Sequence, residues 1–248
     1  MTKIEWSEVT WNPVTGCDMI SPGCDNCYAM TLAARLKAMG NRRYQSDGDP
    51  LTSGPGFGVT IHEDKITEPM RWKRPRTVFV NSMSDLFHER IPDDVILRIH
   101  QTMIDCPQHT FQILTKRVHR LETVPIHWRA NEWIGVSVEN QKYVFRARRL
   151  VHNVIADVKF LSVEPLLGPV SLPSDILAGI DWCIVGGESG PGHRPVNPDW
   201  VRHLRDQCIA AAVPFFFKQW GGRTPKAGGR ELDGQIWDEM PSTERTPT

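Results

Sequence analysis

From about residue 77 onward, short apolar runs rich in β-branched and aromatic residues alternate with segments of helical periodicity. This alternation constrains the fold more than any other feature of the sequence. Unalternating apolar strands separated by helices predict a parallel sheet that is covered by helices on its faces. The strong strand predictions are Thr77–Val80, Thr110–Leu114, Trp133–Val138, Val158–Val163, Trp182–Val185 and Pro214–Phe217, and Val9–Val14 is a weaker candidate.

Six to seven strands fall short of the eight that close a barrel. We therefore predict an α/β fold, a partial (β/α) barrel of about six to seven parallel strands, with a flat doubly wound sheet as the main alternative. Helices are predicted after Pro92-Asp93-Asp94, across Tyr143–Val154, and after Asn197-Pro198, where an N-cap precedes a helix-starting proline.

The length of 248 residues suits one substantial core, and we predict a single domain over 1–248. Within it we expect a metal-binding loop at 17–28, a long loop at Asn41–Gly58, and an irregular Gly- and Pro-rich tail at 222–248.

The charge balance excludes a global attraction to polyanions, because Lys+Arg and Asp+Glu both total 29. No apolar run approaches the roughly 20 residues of a membrane span. The start of the chain, Met1–Trp6, lacks the charged and apolar blocks of a signal peptide. We therefore expect a cytoplasmic protein without a membrane partner, in which any polyanion binds to a local patch.

Three of the six cysteines crowd into a C-x6-C-x2-C loop formed by Cys17, Cys24 and Cys27. In a reducing compartment such a crowd indicates a metal or redox site more often than disulfides. A structural zinc site needs four ligands, and no second Cys or His pair lies nearby. Three thiolates on a four-iron cluster leave one iron open, where S-adenosylmethionine (SAM) can bind. The remaining cysteines, which the pattern predicts to be ordinary buried thiols, are Cys106, Cys183 and Cys208.

Each predicted strand ends in polar or charged residues. In parallel α/β folds the carboxyl ends of the strands carry the functional site, so these segments predict a shared site at that edge. For Gly186-Gly187, a tight turn and a ligand approaching the backbone are equally good interpretations. The segments are Asn81–Asp85, Thr115–Arg117, Ser137–Asn140, Ser162–Pro165, Gly186–Gly190 and Lys218–Gly221.

Motifs that span nearly the whole chain carry a family resemblance. They resemble the radical SAM superfamily and, more narrowly, the phage-encoded "three-Cys-motif" family of radical-SAM-like proteins. The motifs are Lys3-Ile-Glu-Trp, Trp11-Asn-Pro-Val-Thr-Gly-Cys17, Asn81-Ser-Met-Ser-Asp-Leu-Phe-His-Glu89, Leu114-Thr-Lys-Arg117, Ser162-Val-Glu-Pro-Leu-Leu-Gly-Pro169, Gly186-Gly-Glu-Ser-Gly-Pro191 and Phe217-Lys-Gln-Trp220.

This resemblance implies a [4Fe–4S] cluster held by the three cysteines, with SAM as cofactor and an external electron donor. It implies SAM contacts from Tyr28, from Ser84 and Asp85, and from Ser137 and Glu139 near the ribose. Two departures from the superfamily pattern stand out. The first cysteine gap is three residues longer than the usual C-x3-C-x2-C. The Gly-Gly-Glu segment at 186–188 comes much later than in the superfamily, so its role is not carried over.

A dense basic run with an aromatic residue inside it is a candidate nucleic-acid contact, since cations can bind phosphates while a ring stacks on a base. A solvated linker is an equally good interpretation. For the second basic cluster, at Arg146, Arg148 and Arg149, we favour the solvated outer face of a helix. The first run consists of Arg71, Trp72, Lys73, Arg74, Pro75 and Arg76.

The phage-like resemblance favours DNA as the substrate, since some phages hypermodify thymidine in their own DNA to evade host nucleases. The best hypothesis is a radical SAM enzyme that isomerises N-linked glycinylthymidine to a C-linked form. One alternative is a non-enzymatic iron–sulfur or zinc module that binds nucleic acid. Another is a barrel hydrolase that uses the strand-end carboxylates of Asp85, Glu139, Glu164 and Glu188.

Overall fold

The computed structural model describes residues 5–242. By contacts, the chain divides into two compact units. The first comprises Met1–Val136 and Asn153–Asp157, and the second comprises Ser137–His152 and Val158–Thr248. Whether the chain acts as the predicted single domain stays a prediction. Lys3 and Ile4 of the first motif lie outside the described residues.

The first unit contains the strands β1 to β6, without the last residue of β6, and the helices α1 to α4. In chain order they are β1 (Val9–Trp11), β2 (Val14–Thr15), α1 (Tyr28–Ala38), β3 (Thr60–Ile61), α2 (Glu63–Ile66), β4 (Thr77–Val80), α3 (Asp93–Ile104), β5 (Thr110–Thr115), α4 (Val118–Thr123) and β6 (Glu132–Ser137). Short 3-10 helices cover Pro22–Cys24, Arg42–Tyr44 and Glu68–Arg71.

The second unit contains the remaining elements, with a 3-10 helix at Gln141–Tyr143. In chain order they are α5 (Val144–Asn153), β7 (Val158–Val163), α6 (Ser174–Leu177), β8 (Trp182–Gly186), α7 (Pro198–Ala210), β9 (Phe215–Gln219), β10 (Glu231–Leu232) and β11 (Gln235–Ile236). The tail predicted to be irregular thus includes the short antiparallel pair of β10 and β11. Residues 243–248 of that tail lie outside the described part of the chain.

Seven parallel strands follow one another in the order β1-β4-β5-β6-β7-β8-β9. The order is that of an open sheet and confirms the predicted α/β class with six to seven parallel strands in a partial (β/α) barrel. All six strong strand predictions are confirmed within one or two residues at their ends. Buried apolar side chains fill both faces of these strands, as expected for a sheet covered by helices.

The weaker prediction of one strand over Val9–Val14 is wrong in detail. The segment divides into β1, which pairs with β4 in parallel, and β2, which pairs with β3 in antiparallel. Pro13 lies between them and has no N–H group to donate, so the first strand stops before it.

The predicted helices are present as α3, α5 and α7. In α3 the apolar stripe of Ile96, Ile99 and Met103 is buried, as its periodicity predicts. In α7 the Asn197 side chain caps the helix by accepting from the backbone N–H of Asp199. Among the described residues, no helix is both long and apolar enough to cross a bilayer.

Candidate metal and cofactor site

The cysteine loop begins at Gly16, which is fixed against the loop that follows β4. The Gly16 N–H donates to the Met83 carbonyl at 2.9 Å, and Gly16 forms a parallel bridge with Ser84. Gly16 has a φ of +90°, and a Cβ there would lie 2.3 Å from the Gly58 carbonyl oxygen. Only glycine fits this turn, which places Cys17 at the carboxyl edge of the first unit's strands.

The three cysteines lie on one loop and are half-buried free thiols. Cys24 ends the 3-10 helix Pro22–Cys24, and its carbonyl accepts from the Cys27 N–H at 3.1 Å. Cys27 is the N-cap of α1, so its sulfur lies at the positive end of that helix. Cys17 and Cys27 pack against an apolar cluster, which limits the access of water to the loop. The cluster consists of Ala29, Ala33, Tyr44, Phe57 and Met83.

Burial controls the protonation of two of these thiols. It raises the pKa of Cys17 to about 12, against the opposing effect of the Arg117 guanidinium. Burial also raises the pKa of Cys27, while the backbone amides of Met30 and Ala29 and the Lys116 ammonium act to lower it. Without a metal these thiols stay protonated at neutral pH, and a bound metal would stabilise their thiolate forms.

The three loop cysteines are candidate ligands for either a zinc ion or a four-iron cluster. Among residues 5–242, no three His, Cys, Asp or Glu side chains stand close enough to hold one metal ion. A zinc site needs its sulfurs on a single ion, at about 2.3 Å each. The thiolates of a four-iron cluster bind different irons and stand farther apart. Cys17, Cys24 and Cys27 supply three thiols on one loop that could serve as such ligands.

Arg117, which follows β5, reaches the first cysteine. Its Nη1 donates to the Cys17 Sγ at 3.3 Å, and its Nη2 donates to the Asp18 carbonyl at 3.2 Å. Arg117 is buried, and its guanidinium also pairs with Asp85 at 3.4 Å. Sequence reasoning placed Arg117 among polar strand ends but did not foresee a contact to a residue 100 positions away.

Asp18, the next residue in the loop, joins three segments of the first unit. Its carboxylate accepts from Thr52 Oγ1 at 3.0 Å, and it contacts His88 Nε2 at 3.0 Å and the Arg90 guanidinium. Burial alone would raise the pKa of Asp18, but the hydrogen bonds from Ser53, Thr52 and Arg90 outweigh it and lower the pKa well below its usual range. The carboxylate therefore stays ionised and holds the loop in place.

Ser84, predicted to contact SAM, has an unused hydrogen-bonding group. Its Oγ is buried and has no hydrogen-bond partner among the described residues. Ser84 also forms the bridge to Gly16, so its hydroxyl lies where the cysteine loop begins. Tyr28, which follows the third cysteine, donates its hydroxyl hydrogen to the carbonyl of Ser82, two residues before Ser84, at 2.6 Å. The structure thus brings Tyr28 and Ser84 to the same strand end.

Asp85 lies beside Ser84, but its carboxylate is already engaged. One oxygen accepts from Thr115 Oγ1 at 2.7 Å and from the Phe87 N–H at 3.0 Å. The other accepts from the Lys116 N–H at 3.0 Å and from Arg117. Asp85 therefore ties the ends of β4 and β5 together.

Ser137 and Glu139 belong to the second unit and are buried. Arg146 Nη1 donates to the Ser137 carbonyl at 3.0 Å and to Glu139 Oε2 at 2.8 Å. The prediction that Arg146 lies on a solvated helix face is wrong, because the buried Glu139 carboxylate and the Tyr143 ring, 4.3 Å from the guanidinium, draw it inward. Arg148 is exposed as predicted.

The four strand-end carboxylates considered for a hydrolase each have a cationic partner. Besides Asp85 with Arg117 and Glu139 with Arg146, Glu164 pairs with Lys218 at 3.1 Å, and Glu188 makes a two-pronged pair with Arg194. A glycosidase needs one carboxylic acid that stays protonated. Each of these four carboxylates is instead engaged in an ion pair with an arginine or a lysine.

The basic run lies at the edge opposite to the cysteine loop. Arg76 immediately precedes β4, whereas Met83 and Ser84, which contact the loop, follow it. The four residues of β4 separate the two edges by about 13 Å. Trp72 is half-buried and packs edge-on to His109, with the Arg76 guanidinium 5.5 Å from its ring. This ring is therefore already packed within the protein.

Three cations of the run face solvent. Arg71, Lys73 and Arg74 are exposed, and no ion pair within the described part of the chain involves them. Other cations of the chain are paired with carboxylates. Examples are Lys37 with Asp47, Arg98 with Glu63 and Arg230 with Asp238.

The chain matches one protein family over nearly its whole length and has a distant structural similarity to a known enzyme. The profile of a family described as "Protein of unknown function (DUF5131)" matches residues 1–241, and the chain belongs to this family. No curated protein matches it. Among solved structures, it is similar to "Spore photoproduct lyase complexed with dinucleoside spore photoproduct", with 12% identity and a TM-score of 0.41. The similarity covers 80% of this chain and 60% of that one, so the chain spans less than two thirds of that lyase.

Proposed function

We propose that this member of the DUF5131 family is a radical SAM enzyme, with Cys17, Cys24 and Cys27 as the ligands of a [4Fe–4S] cluster. The observation that carries the proposal is their placement: three half-buried thiols on one loop, at the carboxyl edge of parallel strands, beside a buried cation. When bound, such a cluster supplies the electron that cleaves SAM to a 5′-deoxyadenosyl radical, which removes a hydrogen atom from the substrate.

The residues around the loop have distinct tasks in this proposal. The apolar cluster that includes Ala33 and Phe57 excludes water from the thiols. Ser84 offers its unused hydroxyl to the amino group of SAM. Asp85, whose oxygens are engaged, fixes the strand end that presents Ser84 rather than contacting SAM with a free oxygen.

The roles carried over from the family resemblance remain part of the proposal. Tyr28 lies next to the third cysteine, and we propose that it lies near SAM. Ser137 and Glu139 are proposed to lie at the ribose, with Arg146 holding the Glu139 carboxylate in one orientation. An external electron donor has to reduce the cluster.

For the substrate we propose DNA that carries a modified thymine, with isomerisation of N-linked glycinylthymidine to its C-linked form as the reaction. An isomerisation adds and removes no atoms, but it has to break an unactivated C–H bond, which acid–base groups do not achieve alone. The exposed Arg71, Lys73 and Arg74 support a nucleic-acid partner. Because this run lies at the opposite edge from the cysteine loop, we assign it to anchoring DNA rather than to positioning the reacting base.

The reaction class is tested by anaerobic reconstitution of the protein with iron and sulfide, followed by dithionite and SAM. We expect about four irons per chain, as a [4Fe–4S] cluster requires, and formation of 5′-deoxyadenosine. A Cys106→Ala variant, which alters a buried cysteine outside the loop, should keep both properties. An intact cluster that yields no 5′-deoxyadenosine would overturn the proposal. The substrate is tested separately, by incubating the active protein with glycinylated DNA and analysing its nucleosides by mass spectrometry.

Two further experiments separate the competing functions. A non-enzymatic zinc or iron–sulfur module would bind metal and nucleic acid but would show no binding in a SAM titration. A hydrolase would keep its full activity after all three loop cysteines are changed to alanine.

A further inference from the structure

We propose that Arg117 is a positioning residue for the cluster: it fixes the Cys17 end of the loop and its charge raises the reduction potential of the cluster. This inference rests on the proposed function, but it concerns a residue to which neither the family resemblance nor the cysteine pattern assigns a role.

The contacts of Arg117 reach both the side chain and the backbone of the loop. One guanidinium nitrogen donates to the Cys17 sulfur at 3.3 Å and another donates to the Asp18 carbonyl at 3.2 Å. The planar fork of arginine makes such a two-point contact possible, whereas the single ammonium of lysine does not reproduce it. Arg117 therefore sets the position of the first cysteine relative to β5.

Arg117 is itself held by two carboxylates. Its guanidinium pairs with Asp85 at 3.4 Å and donates from Nε to Glu89 at 3.5 Å. Asp85 is in turn fixed by Thr115 and by the Lys116 amide. A buried side chain with several fixed partners has one preferred conformation, so Arg117 holds Cys17 in a defined position relative to the end of β5.

This support explains how a lengthened loop can still present its first cysteine. The gap between Cys17 and Cys24 holds six residues, three more than the usual superfamily spacing. A longer loop has more conformations to lose when it binds a cluster. Fixing its first residue through Gly16 and Arg117 removes part of that freedom before the cluster binds.

The charge of Arg117 has a second effect. Reduction adds a negative charge to a cluster that already carries thiolate ligands, and hydrogen bonds to the sulfurs and nearby charges set its potential. A buried guanidinium remains protonated at every accessible pH and acts in surroundings where charges are weakly screened. It favours the reduced form, so its removal should make the cluster harder to reduce.

The inference is tested with Arg117→Gln and Arg117→Lys. In the metal-free protein, amide hydrogen exchange of peptides covering residues 17–24 should become faster in Arg117→Gln, by on the order of tenfold for the loss of hydrogen bonds from a charged group. In the reconstituted protein, an anaerobic redox titration followed by electron paramagnetic resonance should show a more negative potential for Arg117→Gln. Arg117→Lys keeps the charge and should retain more of the potential than of the exchange protection.

Arg120→Gln is the matched control, because Arg120 lies one turn further along α4 and contacts the His88 and Ile91 carbonyls instead of the loop. It should leave both measurements unchanged. Unchanged exchange and unchanged potential in Arg117→Gln would overturn the inference, even if the wild-type protein cleaves SAM. If the wild-type protein bound no cluster, the proposed function would fail, while faster exchange in the metal-free variant would still establish that Arg117 positions the loop.

Discussion

The two edges of the first unit's parallel strands differ in whether their charged side chains form ion pairs. At the carboxyl edge, beside the cysteine loop, charged groups are paired, as the half-buried Asp18 is with Arg90 and the buried Asp85 with the buried Arg117. At the amino edge, Arg71, Lys73 and Arg74 are exposed and have no paired carboxylate among the described residues. Buried, paired charges hold a site rigid, whereas exposed, unpaired cations remain available to a large anionic partner. Chemistry and anchoring should therefore be separable by mutation.

The largest expected effect is at the carboxyl edge. Changing Cys17, Cys24 and Cys27 together to alanine should abolish cluster formation and 5′-deoxyadenosine production, because the ligands are removed. Iron content and product chromatography measure this. Binding of DNA at the amino edge should persist in the same variant. If DNA binding were lost along with iron while circular dichroism showed a folded protein, the separation of the two edges would be wrong.

The next effect concerns the turn that fixes the cysteine loop. Gly16→Ala should destabilise the protein by about 2–4 kcal/mol, because its Cβ would meet the Gly58 carbonyl at a φ that L-residues avoid. Urea unfolding measures the change. Gly40→Ala is the matched control, since Gly40 has a φ of +74° with open space around its Cβ position. It should cost only about 1 kcal/mol. Equal losses in both variants would contradict the close approach at Gly16.

A smaller effect is expected at the amino edge. Replacing Arg71, Lys73 and Arg74 with alanine should weaken DNA binding about 10- to 100-fold at low salt and reduce the salt slope of log K by about 2.7, if each cation neutralises one phosphate. Fluorescence anisotropy across a salt series measures both quantities. Cluster content and 5′-deoxyadenosine formation without DNA should not change.

The control for this variant removes the same charge elsewhere. Arg148, Arg223 and Lys226 are exposed, and replacing them with alanine should leave the salt slope nearly unchanged. If both triple variants lowered the slope equally, DNA would be responding to total charge rather than to the amino edge. If neither did, the anchoring role would be excluded.

The sequence predicted the scaffold well because its signal is local. Apolar strands such as Val158–Val163 and the Asn197 cap depend on neighbouring residues, and both were found where the pattern indicated. The strand at Val9–Val14 was predicted less accurately. Its apolar residues suggest one strand, whereas Pro13 interrupts the pairing.

The charge network was less predictable because its partners are far apart in the chain. Helical periodicity placed Arg146 outside, since periodicity carries no information about the buried Glu139 that attracts it. The contact from Arg117 to Cys17 likewise depends on which strand ends become neighbours. The edge at which the basic run lies could have been inferred from the sequence, because Arg71–Arg76 precedes a predicted strand. Functional residues of parallel folds instead follow their strands.

The smallest effect tests the unused hydroxyl at the carboxyl edge. Ser84→Ala removes a buried oxygen that has no partner in the described structure, so it should leave the free energy of unfolding nearly unchanged. If the hydroxyl binds the amino group of SAM, the same change should weaken SAM binding about 3- to 10-fold. Calorimetric titration of the reconstituted protein measures the affinity. Ser82→Ala is the control, because the Ser82 hydroxyl already bonds to Asn12 at 3.2 Å. A Ser84→Ala protein with full SAM affinity would remove this residue from the cofactor site and leave the three cysteines as the part of that edge that binds.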